Sequence, residues 1–365
     1  MKLHQREKRY MKHRKTIVIG FAVLVFVIAF IFTLLSGATF TAQPDDTIDF
    51  SRVIRDNVSP DVRVVDIAML GAHNAFTDRI SPGSAIAPYN TNAFVSPVVN
   101  TIAPGLVSRL MVCQKSDAYG LLMRGVRYFD VRLVYYNGSW YTHHTLISAP
   151  LQVYLTQIIY FLNKNPGELI VFDIQHARLG DRSFEDLWRY IASITVGGCS
   201  LFDFVNYAPY NTPLGELTLG HATQYGAGVV ILARTPVAED GFHYEYNTSI
   251  RSMWHNEIRT HELIEGIQKE YQFLTQNPLR YRNLFRVNQA QTTPNFDSFG
   301  NAVYTLFSWS VLSHNARHNV WLIEHENFTH WLTAMPIFMV DFSDSARGNF
   351  NVEVIEKING FNRNM

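Results

Sequence analysis

Four short stretches of the sequence end in side chains that can move protons or bind anions. An apolar run, Val64–Leu70, leads into Gly71-Ala72-His73-Asn74. Asp130 and Arg132 stand two apart inside the apolar stretch RYFDVRL. Ser139-Trp140-Tyr141-Thr142 runs into His143-His144, and Ile337–Val340 ends in Asp341. Two imidazoles of near-neutral pKa can share an in-line displacement at phosphorus, one as base and one as acid. An arginine fork binds the phosphate and the charge that develops on it. A buried carboxylate can hold the tautomer of the basic imidazole. With the arginine supplying positive charge, this chemistry needs no metal and no cofactor.

Each residue also has a structural reading. His73 could be a satisfied turn histidine. Asp130 and Arg132 share a strand face and could be an ion pair within a barrel. Charges inside an apolar strand cost desolvation energy, which weighs toward function. His143 and His144 point to opposite faces of an extended strand, so at most one faces a common site. Asp341 could merely close its strand, and Cys113-Gln114 could be ordinary surface.

These residues need a scaffold that brings distant strand ends together. Short apolar, β-branched runs read as buried strands at Val64–Leu70, Val126–Leu133, Leu169–Ile174, Val229–Leu232, Leu284–Val287 and Ile337–Val340. Helix-period stretches lie among and after them. Leu151–Leu162 is stopped by Asn165-Pro166-Gly167, and Phe184–Ile194 has Ser183 as N-cap. His261–Phe273 and Val352–Ile358 carry apolar residues three and four apart. The alternation predicts an α/β fold with parallel strands, either a closed barrel or an open doubly wound sheet. No GxGxxG or Walker loop follows the first strand, which lowers a nucleotide-binding reading. In a barrel the strand ends would converge on one mouth.

The pieces GAHNAF, LLMRGVRYFDVRL, HHT with ISAPLQVYL, and IFMVDFSD resemble the X-region of phosphatidylinositol-specific phospholipases C. Their order and spacing match from about Val64 to Asn359. Within that family the likeness is greatest to the trypanosomal glycosylphosphatidylinositol phospholipases C. The resemblance implies a distorted TIM-type (β/α) barrel. It implies His73 as general base toward the inositol 2-hydroxyl, His144 as general acid toward the diacylglycerol oxygen, and Arg132 on the phosphate. Asp341 would orient His73, and Asp130 would pair with Arg132. The products would be diacylglycerol and inositol 1,2-cyclic phosphate. Asn74, Arg234 and Gln114 are the expected substrate-side residues. Asn74 replaces the aspartate of soluble bacterial enzymes, and Arg132 replaces a calcium-binding carboxylate of animal enzymes. A guanidinium there repels a divalent cation, so a metal-independent enzyme is expected. Two other readings stay open. One is a catalytically silent barrel that binds inositol lipids or glycans; the other is a metal-dependent glycerophosphodiester phosphodiesterase.

Composition sets outer limits. The chain has 365 residues, 47% hydrophobic and 17% charged, which suits a globular body and not a disordered or polytopic chain. Two cysteines exclude a disulfide-stapled scaffold and a multi-cysteine zinc site. A formal charge of zero argues against a nucleic-acid partner. Residues 1–15 hold seven of the 31 Lys/Arg and one of the 31 Asp/Glu, leaving 24 basic and 30 acidic residues elsewhere. This basic head precedes the uncharged run Ile17–Leu35. The segment 16–36 is expected to be a transmembrane signal anchor, with the body extracytosolic, or a signal peptide that is cleaved. A linker over 37–60 and a catalytic barrel over 61–362 follow. Sequons at Asn57, Asn137, Asn247 and Asn327 suit a secretory route. The expected partners are a membrane inositol lipid and the membrane surface, and the chain is expected to act as a monomer.

Overall fold

The computed structural model describes residues 49–365 apart from 91–94, 239–240, 295–297, 309–310 and 346. The expected membrane segment over 16–36 therefore lies outside the described residues. Among those residues, no helix is long and apolar enough to cross a membrane.

The described residues form ten strands: β1 Met69–Ala72, β2 Val126–Tyr136, β3 Ser139–His144, β4 Leu146–Pro150, β5 Leu169–Arg178, β6 Gly228–Ala233, β7 Tyr244–Glu245, β8 Ile250–Met253, β9 Phe285–Gln289 and β10 Ile337–Val340. Eight of them run parallel in the order β7-β6-β5-β2-β1-β10-β9-β8. The β3–β4 hairpin adds antiparallel to β2. This is a distorted (β/α) barrel rather than an open doubly wound sheet. The first strand pairs with the last, and no ladder bonds join β7 to β8. That seam is the distortion.

The strand runs are buried on both faces, as parallel strands between helices must be. β1, β6, β9 and β10 are buried at every position. Gly71 lets three strands approach: a Cβ there would lie 3.1 Å from Met339 Cβ and 3.1 Å from Tyr128 Cδ1. The helix Leu151–Lys164 buries Leu151, Leu155, Ile158, Ile159 and Leu162, the 3.6-residue pattern visible in its sequence. The helix Phe184–Ser193 opens with a capping box between Ser183 and Asp186. The final helix, Phe350–Asn362, is tied to the entry of β1. The Asn362 amide accepts from Ala68 N at 2.9 Å and donates to Ala68 O at 3.0 Å.

One expected strand is shorter than its apolar run. Val64 and Val65 are fully buried, yet they lie in a turn, and Val64 N bonds the carbonyl of Leu217 at 2.8 Å. The floor of the barrel is polar. Arg127 Nε donates to Glu168 Oε2 at 2.6 Å, with both side chains fully buried. The guanidinium also reaches the carbonyls of Leu122, Val126 and Phe50, while Glu168 accepts from Ile54 N and Arg55 N. Through Phe50, Ile54 and Arg55 the pair ties the starts of β2 and β5 to the segment that precedes β1. Such full satisfaction is what a buried ion pair requires.

Candidate active site

The carboxyl ends of β1, β2, β3 and β10 deliver their polar residues to one place. His73 continues β1, with its N–H on Val340 O at 3.0 Å. Beyond it the chain turns sharply through left-handed Asn74 (φ 43°) and Phe76 (φ 67°). Asn tolerates this region, but Phe does not. Phe76 is held there by burial and by stacking on Tyr154 (4.7 Å) and Phe129 (5.3 Å). The turn is pinned to β2 by Ala75 N on Asp130 O at 2.8 Å.

His73 Nδ1 donates to Asp341 Oδ1 at 2.6 Å. That leaves Nε2 as the free basic nitrogen. Arg132 Nη2 stands 3.4 Å from it, and Asp130 Oδ2 is 3.8 Å away. The same Arg132 nitrogen contacts Asp130 Oδ2 at 3.4 Å. Burial pushes the Asp130 carboxyl up, but Arg132, His73 and the Asn74 N–H together hold it below its ordinary range. It therefore stays ionised beside the guanidinium. Its register partner on β5, Asp173, has the opposite fate. Burial, and then the charge of Asp130, push Asp173 well above the usual carboxylate range. Asp173 accepts a hydrogen bond from the hydroxyl of Tyr128.

His144 reaches the same cluster from β3. Its Nδ1 donates to Met111 O at 2.9 Å, which turns Nε2 outward. Burial and then Arg132 push its pKa down to about 3. Cys113 lies beside it, with Sγ 3.5 Å from His144 Nδ1 and 3.3 Å from Asn74 Nδ2. His143 faces elsewhere. It is buried with neither ring nitrogen bonded, and burial and then Arg178 push its pKa to about 3.

The central residues His73, Asp130, Arg132, His144 and Asp341 are thus brought together, with Asn74 among them. Asn74 presents its amide to the His73 ring at 3.2 Å from Nε2, while its Oδ1 has no partner. Arg234 lies at the end of β6 and is exposed. It donates to Gln175 O and Asn247 Oδ1, both at 2.7 Å, and stacks 3.8 Å over the ring of Tyr246. Gln114 is a correction. Expected on the substrate side, it is fully buried, with its amide committed to the surrounding protein. Its Nε2 donates to His73 O and Val340 O, and its Oε1 accepts from Ser343 N and Oγ. It positions the two strands that carry His73 and Asp341.

Three contributors carry no signal in the sequence. Asn315 Nδ2 donates to Asp341 Oδ2 at 2.9 Å, and Thr292 Oγ1 donates to Asn315 Oδ1 at 2.8 Å. Asn319 Nδ2 bonds Asp341 O at 2.7 Å. All three are buried. Both asparagines sit on the helix Val311–Glu324, four residues apart on one face. That i, i+4 spacing is the one trace they leave.

This arrangement can do one thing well. A base nitrogen with a fixed tautomer lies beside a guanidinium, and a second imidazole stands across from it. That is a site for general acid–base attack on an anionic ester.

No family model matches the chain. In sequence it is 26% identical over 214 residues to the variant-surface-glycoprotein phospholipase C of Trypanosoma brucei brucei, covering 56% of this chain and 57% of that one. It is 30% identical over 122 residues to PI-PLC X domain-containing protein 3 of Homo sapiens, covering 32% of this chain and 38% of that one. The chain thus spans from about two fifths to just under three fifths of these curated relatives. In structure, a mutant of the phosphatidylinositol-specific phospholipase C of Staphylococcus aureus superposes with a TM-score of 0.54 at 14% identity, over 84% of this chain and 97% of that one. The Listeria monocytogenes enzyme gives 0.53 at 14% identity, over 84% and 98%. The chain is therefore similar in sequence to phospholipase C X-domain proteins and carries the barrel fold of the bacterial phosphatidylinositol-specific phospholipases C.

Proposed function

We propose that this chain is a phosphodiesterase of the phospholipase C type. Its substrate is phosphatidylinositol or a glycosylphosphatidylinositol, and its products are diacylglycerol and inositol 1,2-cyclic phosphate. The observation that carries this reading is His73, with Nδ1 on Asp341 at 2.6 Å and Nε2 beside Arg132 at 3.4 Å. The inositol 2-hydroxyl gives its proton to His73 Nε2 as its oxygen bonds the phosphorus. The bond from phosphorus to the glycerol oxygen breaks, and that oxygen takes a proton from His144 Nε2. Arg132 carries the phosphate charge throughout. Arg234 faces the inositol hydroxyls from the end of β6, and Asn74 lines the base.

His144 is neutral in the free protein at pH 7, since its pKa is near 3. The bound phosphodiester anion offsets Arg132, the second cause of that depression after burial, and so raises the imidazole's proton affinity. Catalysis proceeds without a metal, because the guanidinium occupies the place where a hard cation would sit. The basic head and the apolar run Ile17–Leu35 support attachment to a membrane, with the barrel on the extracytosolic side.

The test is an assay offering both lipids with products identified by mass. Release of a cyclic inositol phosphate is expected, unaffected by chelator and absent in His73→Ala and in His144→Ala. Activity retained in either variant overturns the assigned roles. Activity lost in chelator points to a glycerophosphodiester phosphodiesterase instead.

A further inference from the structure

Cys113 takes no part in the reaction above, yet its sulfur lies among the reacting groups. Cys113 Sγ, a ring nitrogen of His73 and a carboxylate oxygen of Asp341 lie within 4.8 Å of one another, a ligand set among the described residues. His144 adds a second imidazole, 3.5 Å from the sulfur. Cys113 and Asp341 are buried, and His73 is half-buried. Thiolate, imidazole and carboxylate are the donor types of a zinc-class ion, and three of them leave a fourth position open. Hard ions such as calcium and magnesium need more oxygen ligands than this set offers.

We propose that these side chains form a binding site for a borderline-soft divalent cation, of the zinc class, and that the bound ion blocks the catalytic base. Metal binding rests on the donor set alone. The inhibition rests in addition on the phosphodiesterase reading.

The charges balance. Asp341, Asp130 and a Cys113 thiolate supply three negative charges against Arg132 and one divalent ion. Arg132 does not stand in the way, since it lies against the opposite ring nitrogen of His73. Coordination moves protons in a defined way. The thiol proton leaves to solvent, because a metal deprotonates its thiol ligand outright. With Nδ1 on the ion, the proton it held leaves to solvent and Nε2 takes one up in its place, on the side of the ring where the Asp130 carboxylate lies 3.8 Å away. His73 then has no free nitrogen for the inositol hydroxyl, so metal and turnover exclude each other.

The experiment titrates the full chain with cobalt(II) as an optical stand-in for zinc. A near-ultraviolet sulfur-to-cobalt charge-transfer band is expected, together with the intense visible bands of a four-coordinate ion. Both should vanish when zinc is added, persist with excess magnesium or calcium, persist in Cys199→Ser and be absent in Cys113→Ser. Turnover of the native chain should fall at least ten-fold in zinc and recover with chelator, while the residual turnover of Cys113→Ser is insensitive to zinc. Native chain without the charge-transfer band, or a band unchanged in Cys113→Ser, overturns the site. A band present with turnover unaffected by zinc overturns the inhibition. A band present in a chain with no activity on either lipid keeps the metal site and removes the phosphodiesterase reading.

Discussion

One side-chain amide, that of Gln114, donates at once to the carbonyl of His73 at 2.9 Å and to that of Val340 at 3.0 Å. It therefore clamps the ends of two strands whose next side chains are a base and its orienting carboxylate. Gln114→Ala removes four hydrogen bonds, to His73 O, Val340 O, Ser343 N and Ser343 Oγ, and Val340 O alone among these keeps a backbone donor, His73 N. At about 1 kcal/mol for each lost bond, stability should drop by ~3–4 kcal/mol and the melting temperature by about 5 °C. Calorimetry checks this, and an unchanged melting temperature refutes the clamp.

The hold of Asn315 on Asp341 should be visible in kinetics. Asn315→Ala removes the donor on Oδ2 and leaves His73 as the remaining partner of the carboxylate group. A hydrogen bond to a charged group contributes about 1.5–3 kcal/mol, so kcat should fall about 10- to 100-fold. KM should move little, because Asn315 touches no substrate. A change confined to KM speaks against this positioning role.

Acid should destabilise the fold over a defined window. His143 and His144 both have folded pKa values of about 3, pushed down first by burial. Unfolded, each titrates near 6.5. The unfolded chain thus binds more protons between these values, and stability rises with pH across them. It is fully present above about 6.5 and is lost progressively toward pH 3. The measurement is the melting temperature against pH. His143→Gln should flatten the slope between pH 6 and 4; an equally steep slope would contradict the burial of a neutral imidazole.

Arg234 offers a separable handle. Its guanidinium is exposed at the mouth and braced by Gln175, Asn247 and Tyr246. Arg234→Met should raise KM about ten-fold, as expected for one charge-assisted hydrogen bond, and leave kcat nearly as it was. The opposite split, with kcat reduced and KM kept, would place Arg234 in the chemistry instead.

The parallel α/β arrangement was legible because parallel strands between helices must be apolar throughout, whereas the pattern fitted an open sheet equally well and the barrel came from the family resemblance. β10 matches its apolar run, and β2, β5, β6 and β9 extend theirs by only a few residues. β7 and β8 were not legible. Tyr244–Glu245 is two residues long, and Ile250–Met253 is half polar, so neither leaves a run. The histidines, Asp130, Arg132 and Asp341 stood out because charge inside an apolar strand is costly. Gln114 misled because a buried amide that satisfies backbone looks, in sequence, like one that waits for a ligand. Asn315 and Asn319 were silent because a helix asparagine carries no local sign of what it faces.

The two parts of the sheet, β7-β6-β5-β2-β1 and β9-β8, join when β10 settles between β1 and β9. His73 and Asp341, 268 positions apart, meet by that same event. A nascent chain that has not yet released its last strand from the ribosome therefore holds an unguided imidazole and no working base. Competence of this site therefore arrives late in synthesis and all at once.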